Sequence, residues 1–337
     1  MGQDSTLARG ARVFGAALIT ALALVSLGWI IRDFATAEAV TDVWWNWTGR
    51  LARSEDGVWT TSYMEPTLLL LYAVAATTVV RSSSAAGILT GTGLLTVVLR
   101  APGLWNLNAD WIQGVPDGLL SKALFTTIGT VVAGVVLVVT AVAGRRTGVL
   151  ETPPPPGWGP AARTEPEEPP AGPTRGGAVA AFLLLGAGAV VMAAWEIRDA
   201  QQAGWERYRN LLTGERSIVG LLDVPSGWAT WTAVVLALVV AVGALSSAAF
   251  SRPLGLITAA PVAAFGVFST AYAVKMKLWE NFGSLGMEGQ LRLLTGLFEI
   301  VVGLGVLLAL ARGERQVPRA LPRLHSGGVP QGAPPAR

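Results

Sequence analysis

The chain contains no cysteine and only one histidine, His325, among its 337 residues. Without cysteine there can be no disulfide, no thiolate metal ligand and no thiol nucleophile. His325 lies in a polar C-terminal segment, so neither a Ser-His-Asp triad nor a histidine metal site is available to the apolar part of the chain. We therefore identify no catalytic residue and expect no metal and no cofactor, which disfavours an enzyme.

Charge is scarce as well, since only 14% of the residues are charged, against about 25% in an average soluble protein. Lysine occurs only at positions 122, 275 and 277, never after a glycine, so the chain has no Walker A phosphate loop. The net charge of +3 is small, and its excess lies in the tails and in a central linker. This distribution suits contact with anionic lipid and argues against a nucleic-acid partner.

Apolar residues, in contrast, make up 52% of the chain. Many are grouped in runs of about 20 residues, the length of helix that crosses the ~30 Å hydrocarbon core of a bilayer. We predict an all-α integral membrane protein with a lipid bilayer as its main partner. The eight predicted spans cover about 13–31, 67–80, 85–99, 119–143, 177–197, 231–250, 254–274 and 291–310.

One motif occurs twice: Trp29-Ile30-Ile31-Arg32-Asp33 returns 166 positions later as Trp195-Glu196-Ile197-Arg198-Asp199. Each copy ends a long apolar run. Weaker matches follow in the same order, pairing 48–50 with 213–216, 104–106 with 278–280 and 124–126 with 297–299. The second copy is internal and cannot be a cleaved signal peptide, so we interpret the first run as a membrane span too.

These matches predict a duplicated protein with two four-helix bundles, one in residues 1–144 and one in 177–311. The Pro-rich segment 145–176 is expected to be a disordered cytoplasmic linker, and 312–337 a basic disordered tail. An even number of spans in each half gives both halves the same orientation, a parallel 4+4 repeat. Gly87 and Gly91 form a G-x-x-x-G pattern on the third span, which would permit a close helix contact.

The arginines indicate how the chain lies in the membrane. One side carries Arg9, Arg12, Arg81, Arg145, Arg146, Arg252, Arg312, Arg315, Arg319 and Arg323. By the positive-inside tendency this side is cytoplasmic and holds both termini. A composition rich in Ala, Gly, Val, Arg and Pro with almost no Lys is typical of high-GC bacterial genomes, which predicts a multi-pass protein of the bacterial plasma membrane.

Tryptophan marks the opposite, outer side of the membrane. Of the thirteen tryptophans, we expect all but Trp158 of the linker on this side. The predicted outer aromatic surface comprises Trp44, Trp45, Trp47, Trp59, Trp105, Trp205, Trp228 and Trp279. Part of it could be a short helix within 37–51 that lies in the membrane interface. Two interpretations stay open: anchors that hold the loops flat on the membrane, or a cavity for a lipid, a glycan or an envelope partner.

Glu299 is the main candidate within the membrane, because a charged residue at a helix centre costs about 2.5–3.5 kcal/mol on insertion scales. It would serve as a proton, cation or substrate site, or as a structural glutamate paired with a basic residue. The candidate basic partners are Lys122, Lys275, Lys277 and Arg292. Thr126 and Thr127 occupy the matching place in the first half, so any such site would be asymmetric.

The repeated motif supplies a set of outer-rim charges: Arg32, Asp33, Arg198, Asp199 and Glu196. Neighbouring residues do not face each other on a helix. We therefore expect each arginine to pair with a distant carboxylate or with lipid phosphate, and each pair to anchor the end of a span.

Three classes of function remain. The favoured one is a non-enzymatic membrane protein that binds envelope components, lipids or partner proteins through its Trp-rich outer loops. The alternative is a small-solute transporter or channel built from two repeats, with Glu299 near the path. An enzyme acting on lipid-linked substrates is disfavoured, because no acid-base or metal constellation is present in the sequence.

Overall fold

The computed structural model describes residues 5–50, 57–147, 172–218 and 220–314. Over these ranges the chain is helical apart from four very short strands. The all-α prediction is therefore confirmed. The centre of the predicted linker with Trp158, and the tail from residue 315 onward with His325, lie outside the described residues.

The helices fall into two groups along the chain. The first half contains α1 (Arg9–Thr36), α2 (Val40–Trp47), α3 (Met64–Val79), α4 (Ala85–Asn106) and α5 (Asp117–Ala143). The second half contains α6 (Arg175–Ala203), α7 (Trp205–Thr213), α8 (Ser226–Leu245), α9 (Ser251–Lys275), a 3-10 turn (Phe282–Ser284) and α10 (Met287–Ala311).

Seven helices in the described part of the chain are long and apolar enough to cross a membrane, namely α1, α4, α5, α6, α8, α9 and α10. The helix at the second predicted span, α3, has 16 residues. At 1.5 Å per residue it is about 24 Å long, shorter than the ~30 Å hydrocarbon core. The chain is thus a polytopic helical membrane protein with seven candidate spans and one shorter apolar helix.

One predicted turn is wrong. Residues 251–253 were expected to separate spans six and seven, but α8 ends at Leu245 and α9 begins at Ser251, so the turn comprises 246–250. Pro253 lies in the first turn of α9, where the missing N–H of proline would have had no intrahelical partner. The helix expected within 37–51 is α2, and it is shorter than that range.

The four long elements of each half pack in a ring. In the first half α1 packs against α3 and α5, and α4 also packs against α3 and α5. In the second half α6 packs against α8 and α10, and α9 also packs against α8 and α10. Close approach within these rings depends on glycine: a Cβ on Gly93 of α4 would lie 2.5 Å from the carbonyl oxygen of Gly134 on α5.

Each ring is closed at one end by a pair of antiparallel strands. Strand β1 (Ser5–Leu7) precedes α1 and pairs with β2 (Arg145–Thr147), which follows α5. Likewise β3 (Gly172–Pro173) precedes α6 and pairs with β4 (Gly313–Glu314), which follows α10. We call this the arginine end of the molecule, because it carries Arg9, Arg81, Arg145, Arg252 and Arg312. The opposite end is called the tryptophan end.

The two halves meet mainly through α4 and α9, with further contacts of α3 with α9 and of α8 with α4. The predicted G-x-x-x-G face lies in this contact. A Cβ on Gly87 would lie 2.6 Å from Cγ of Pro253, and a Cβ on Gly91 would lie 2.7 Å from Cδ1 of Ile257. These two glycines therefore let α4 and α9 approach closely near the arginine end.

Candidate functional site

A groove of about 670 Å³ runs between the two halves, with α3 on one wall and α9 on the other. Its middle is apolar: Leu70 and Val74 come from α3, while Leu256, Ala260 and Val267 come from α9. Leu70 and Val74 are 68% and 62% exposed, so this apolar surface is not covered by the described protein. The volume lies in the ~300–1,000 Å³ range typical of ligand pockets.

The two ends of the groove differ in chemistry. At the tryptophan end it is lined by Trp44, Trp47 and Phe268. At the arginine end it is lined by Ser82, Ser84 and Arg252. The groove is therefore aromatic at one end, apolar in the middle, and polar and cationic at the other end. An apolar stretch next to a polar, cationic end suits the acyl chain and the head group of a lipid.

The aromatic end is rigidly packed. The rings of Trp44 and Phe268 lie with their centroids 5.0 Å apart, and Trp47 meets Phe268 edge-on at 6.3 Å. Nε1 of Trp47 donates a 2.9 Å hydrogen bond to Oγ1 of Thr61. The structure differs here from the predicted exposed surface, because Trp47 and Trp59 are only 8% and 6% exposed.

Other tryptophans of the predicted surface contact the protein itself. Nζ of Lys275 lies 4.4 Å from the ring centroid of Trp45, a cation–π geometry. Trp279 stacks on Phe282 with ring centroids 6.0 Å apart. Trp205 is the most exposed of the eight at 70%.

Trp105 and Trp228 join the two halves. Their rings meet edge-on with centroids 5.6 Å apart. Nε1 of Trp105 donates to the carbonyl of Thr213 in the second half at 2.7 Å. In the opposite direction, Nε1 of Trp228 donates to the carbonyl of Val98 in the first half at 2.8 Å. These two indoles therefore stabilise the contact between the halves.

Asp33, in the first copy of the repeated motif, is fully buried and organises the loop before α3. Its Oδ1 accepts hydrogen bonds from Oγ1 of Thr60 at 2.6 Å and from Nη1 of Arg32 at 2.8 Å. Its Oδ2 accepts from the backbone N–H and from Oγ1 of Thr61, at 2.7 and 2.6 Å. The backbone N–H of Thr60 lies 3.2 Å from both oxygens. A buried carboxylate is stable only when its lone pairs are occupied in this way.

Arg32 pairs with its own neighbour Asp33, a contact that the sequence did not predict. Asp33 lies near the end of α1, and Arg32 also donates to the carbonyl of Val58 at 2.7 Å. The loop with Val58, Thr60 and Thr61 folds back over the end of α1. Arg32 and Asp33 both bond to this loop, and so their side chains lie close together. Regular helix geometry alone would have kept them apart.

The second copy behaves as expected from the sequence, with partners distant along the chain. Nη2 of Arg198 lies 2.7 Å from Oε2 of Glu288, and Asp199 accepts a hydrogen bond from Arg292. The guanidinium of Arg292 also lies 4.3 Å from the ring centroid of Trp195. All four charged side chains are between 32% and 49% exposed, so solvent screens these pairs.

Glu196 has a different environment from its rim neighbours, since it is only 9% exposed. Its Oε2 accepts a 2.7 Å hydrogen bond from the hydroxyl of Tyr208, whose oxygen accepts a 2.6 Å bond from Nε1 of Trp231. Burial raises the pKa of Tyr208 to about 12, so this hydroxyl remains a donor at neutral pH. The chain Trp231–Tyr208–Glu196 ties α7 to α6 and α8.

A buried ion pair joins α3 to α4. Nη1 of Arg100 lies 2.7 Å from Oε1 of Glu65, and the side chains are 6% and 0% exposed. Oε2 of Glu65 accepts from the backbone N–H of Ser62 at 2.7 Å, and Arg100 also donates to the carbonyl of Leu222 in the second half. Each charge is therefore paired and hydrogen-bonded, as a buried charge must be.

Glu299 lines a small cavity of about 50 Å³ between the two halves, together with Tyr63, Thr230, Thr232 and Thr258. It is 4% exposed, and Oε2 has no hydrogen-bond partner among the described residues. The volume is enough for a few water molecules, since one needs about 10–15 Å³. Glu299 thus lies at the wall of a space large enough for water, and its Oε2 is buried without a partner among the described residues.

None of the four predicted basic partners contacts Glu299 in the described structure. Lys275 lies over Trp45, Lys277 pairs with Glu280, and Arg292 pairs with Asp199 and Glu288, while Lys122 is exposed.

Thr126 and Thr127 do not line the Glu299 cavity. Thr127 is buried on α5, where a Cβ on Gly103 would lie 2.9 Å from its Cγ2. The structure thus separates these two threonines from Glu299.

No protein-family model, curated protein or solved structure matches the chain. Within the described residues, no group of three or more His, Cys, Asp or Glu could hold a metal ion.

The groove was missed at the sequence level. Its walls are ordinary apolar helix positions, which look like any lipid-facing or core residue. The groove could have been predicted from the three serines after Arg81 together with Gly87. A polar turn beside a close helix contact indicates that the apolar surface is interrupted there.

Proposed function

We propose that this chain is a non-enzymatic, multi-pass membrane protein that binds a membrane lipid in the groove between α3 and α9. One observation carries the proposal: a groove of ligand size runs between the halves, apolar along its walls and polar at one end. In a bilayer, unfilled apolar space is occupied by lipid, because there is no water to fill it and an empty void loses its packing contacts. A groove of this shape therefore holds one lipid more firmly than the smooth faces of the bundles do.

The proposal moves the binding site from the outer loops to the groove. Most tryptophans of the predicted outer surface contact protein groups, as Trp45, Trp105, Trp228 and Trp279 do. Trp44 and Trp47 line the groove instead. An indole at the membrane interface packs favourably against lipid, so these two would close one end of the lipid site.

We also propose that eight helices form two copies of one duplicated four-helix unit, with α3 as a short membrane helix. Three observations support this. The ring order of the helices is the same in both halves, each ring is closed by a strand pair that joins its first and last segments, and the Trp-x-Ile-Arg-Asp motif lies near the end of each first helix. The arginine end would be cytoplasmic in a bacterial plasma membrane, by the positive-inside tendency.

A small-solute path is the second candidate, and the unpartnered Oε2 of Glu299 in its cavity favours it. A polar group so deep between helices often marks a substrate or ion pathway. The surrounding residues argue against a wide path, since most of them, such as Leu95, Leu99, Met192 and Leu236, are apolar. Entry of water to residue 299 would support transport, and a dry cavity would leave lipid binding as the function.

Lipid binding is tested by filling the groove. The purified protein is delipidated in detergent and mixed with equal amounts of phosphatidylglycerol and phosphatidylcholine that have identical acyl chains, and bound lipid is counted by native mass spectrometry. We expect Val74→Trp to reduce total bound lipid roughly tenfold, the loss of about 1.4 kcal/mol of contact.

The matched control is Val139→Trp, because Val139 of α5 is 57% exposed, much like Val74 at 62%, and does not line the groove. It should bind lipid as the wild type does. Equal binding by both variants and the wild type would show that the groove is not the site.

A further inference from the structure

We propose that the arginine end of the groove binds the phosphate of an anionic phospholipid through Ser84, Ser82 and Arg252. This inference rests on the proposed lipid-binding function and adds the class of head group. It depends on four features of this end of the groove: an unpartnered hydroxyl, a cationic side chain, two helix N-termini and the absence of acidic residues.

Ser84 supplies the unpartnered hydroxyl. The residue is only 7% exposed, it lines the groove, and its Oγ has no hydrogen-bond partner among the described residues. Burying a hydroxyl without a hydrogen-bond partner is unfavourable. The backbone N–H of Ser84 is already bonded to Oγ of Ser82 at 3.0 Å, which fixes the turn. The Ser84 hydroxyl lies buried and unpartnered at the groove wall, and rotation about its Cα–Cβ bond would present it to a ligand.

Arg252 supplies the positive charge. Its Nε donates to the carbonyl of Leu310 at 2.9 Å, and its Nη2 donates to the carbonyl of Ala311 at 2.8 Å. These two bonds hold the guanidinium at the mouth of the groove. Nη1 makes no hydrogen bond to the described residues and can donate to a phosphate oxygen. A guanidinium held in place in this way is well suited to phosphate, which it meets with a planar array of donors.

Two helix N-termini converge at the same place. Helix α4 begins at Ala85, directly after Ser84, and α9 begins at Ser251, directly before Arg252. Gly87 against Pro253 brings these first turns into contact. The N–H groups of Ala85 and Ser251 are bonded to the carbonyls of Ser82 and Ala248, and Pro253 has no N–H. These two helix starts therefore favour an anion chiefly through the helix dipole, which makes this end positive.

The described lining residues of the groove include this arginine and no aspartate or glutamate, so none of them repels a negative head group. Arg81, one residue from Ser82, is exposed at the same turn. The short α3 places this turn closer to the hydrocarbon than the ends of the longer helices, because about 24 Å of helix does not span ~30 Å. A lipid with its phosphate at Ser84 would thus have its acyl chain along Val74 and Ala260.

The test uses the same mixture of phosphatidylglycerol and phosphatidylcholine on the full-length chain, with the ratio of the two bound lipids as the readout. The wild type should favour phosphatidylglycerol. Arg252→Gln should reduce that preference roughly tenfold, because it removes a charged hydrogen-bond donor to the phosphate. Ser84→Ala should reduce it by a smaller factor, roughly threefold, and leave the fold unchanged.

Arg145→Gln is the matched control for charge, because Arg145 also lies at the arginine end and donates to a helix carbonyl, that of Ala141, but does not line the groove. Ser246→Ala is the control for the serine. Circular dichroism checks that each variant is folded, and if Arg252→Gln unfolds, the ratio for Ser84→Ala decides.

Equal loss in Arg252→Gln and Arg145→Gln would overturn the head-group site, because general surface charge would then account for the preference. Equal binding of the two lipids by the wild type would overturn it too. If Val74→Trp still reduced total binding in that case, the proposed lipid-binding function would stand without the head-group site. If Val74→Trp had no effect, the function itself would fail, whatever the ratio.

Discussion

Replacing Asp33 by asparagine should destabilise the first half strongly, whereas the same change at Asp199 should have little effect. The two residues are the last of the repeated motif, so the substitution is chemically identical in both copies. Asp33 is fully buried, but Asp199 is 32% exposed in its pair with Arg292. The comparison therefore measures the effect of environment alone.

The magnitude follows from the donors around Asp33. An asparagine presents an NH₂ group where one carboxylate oxygen stood. Besides the Thr60 N–H, which both oxygens share, two donors face each oxygen: Thr61 N–H and Oγ1 at Oδ2, Thr60 Oγ1 and Arg32 at Oδ1. Each hydrogen bond to a charged group contributes about 1.5–3 kcal/mol. Two lost bonds amount to about 3 kcal/mol at the least. Asp199→Asn removes one exposed ion pair, which contributes about 0.2–1 kcal/mol.

Local and global effects can be separated because the chain has no cysteine. Val43 of α2 is fully buried, and α2 is held through Trp47 and Thr61 to Asp33. In a Val43→Cys background, the rate of thiol labelling reports the opening of α2, while circular dichroism against increasing denaturing detergent reports global unfolding. Asp33→Asn should raise the labelling rate about a hundredfold, which corresponds to about 2.8 kcal/mol.

Asp199→Asn in the same background is the control and should label at the wild-type rate. Similar effects of the two substitutions on both readouts would refute the reasoning, since burial and hydrogen bonding would then not distinguish the two copies.

Two further predictions concern buried charges. Glu65→Gln should destabilise the protein by about 3 kcal/mol, because it leaves Arg100 buried without its counter-ion. Adding Arg100→Met should recover much of this loss, and the same detergent unfolding measures both; no recovery in the double variant would contradict the explanation. A cysteine at position 299 or 126 should be protected from a membrane-impermeant thiol reagent, whereas one at the exposed position 205 should react, as measured by mass shift. Labelling at 299 would indicate a water path to the cavity and favour transport.

The sequence predicted the helical membrane class and the approximate helix positions because these depend on local composition. Apolar runs and their lengths carry that information directly. The turn between α8 and α9 was placed at 251–253, although proline is also favoured in the first turn of a helix. Position alone does not distinguish these two roles.

The environment of the repeated motif could not be predicted from the sequence. Asp33 is satisfied by Thr60 and Thr61, which lie 27 and 28 residues further along in a loop without regular periodicity. Nothing local distinguishes Asp33 from Asp199. The ion pair of Glu65 and Arg100 was missed for the same reason, because residues 35 positions apart meet only after α3 and α4 have packed.

The proposed duplication also explains why one chain would hold one lipid rather than two. In it, α8 corresponds to α3 and α4 corresponds to α9, so the contact of α8 with α4 is the counterpart of the contact that forms the groove. At the start of α8, however, Trp228 packs across to α4, with Nε1 bonded to the carbonyl of Val98 and its ring against Trp105.

At the start of α3 the counterpart aromatic residue is Tyr63, which packs on Phe265 and Phe268 of α9 at 5.8 Å. Below it, Leu70 and Val74 remain 68% and 62% exposed, so this part of the contact between α3 and α9 stays open. The indole of Trp228 thus fills the contact between α8 and α4, whereas the contact between α3 and α9 stays open. These two contacts, which the proposed duplication relates, therefore differ in packing. If the two halves are copies of one unit, as proposed, divergence at these positions would be sufficient to leave a single site for a lipid.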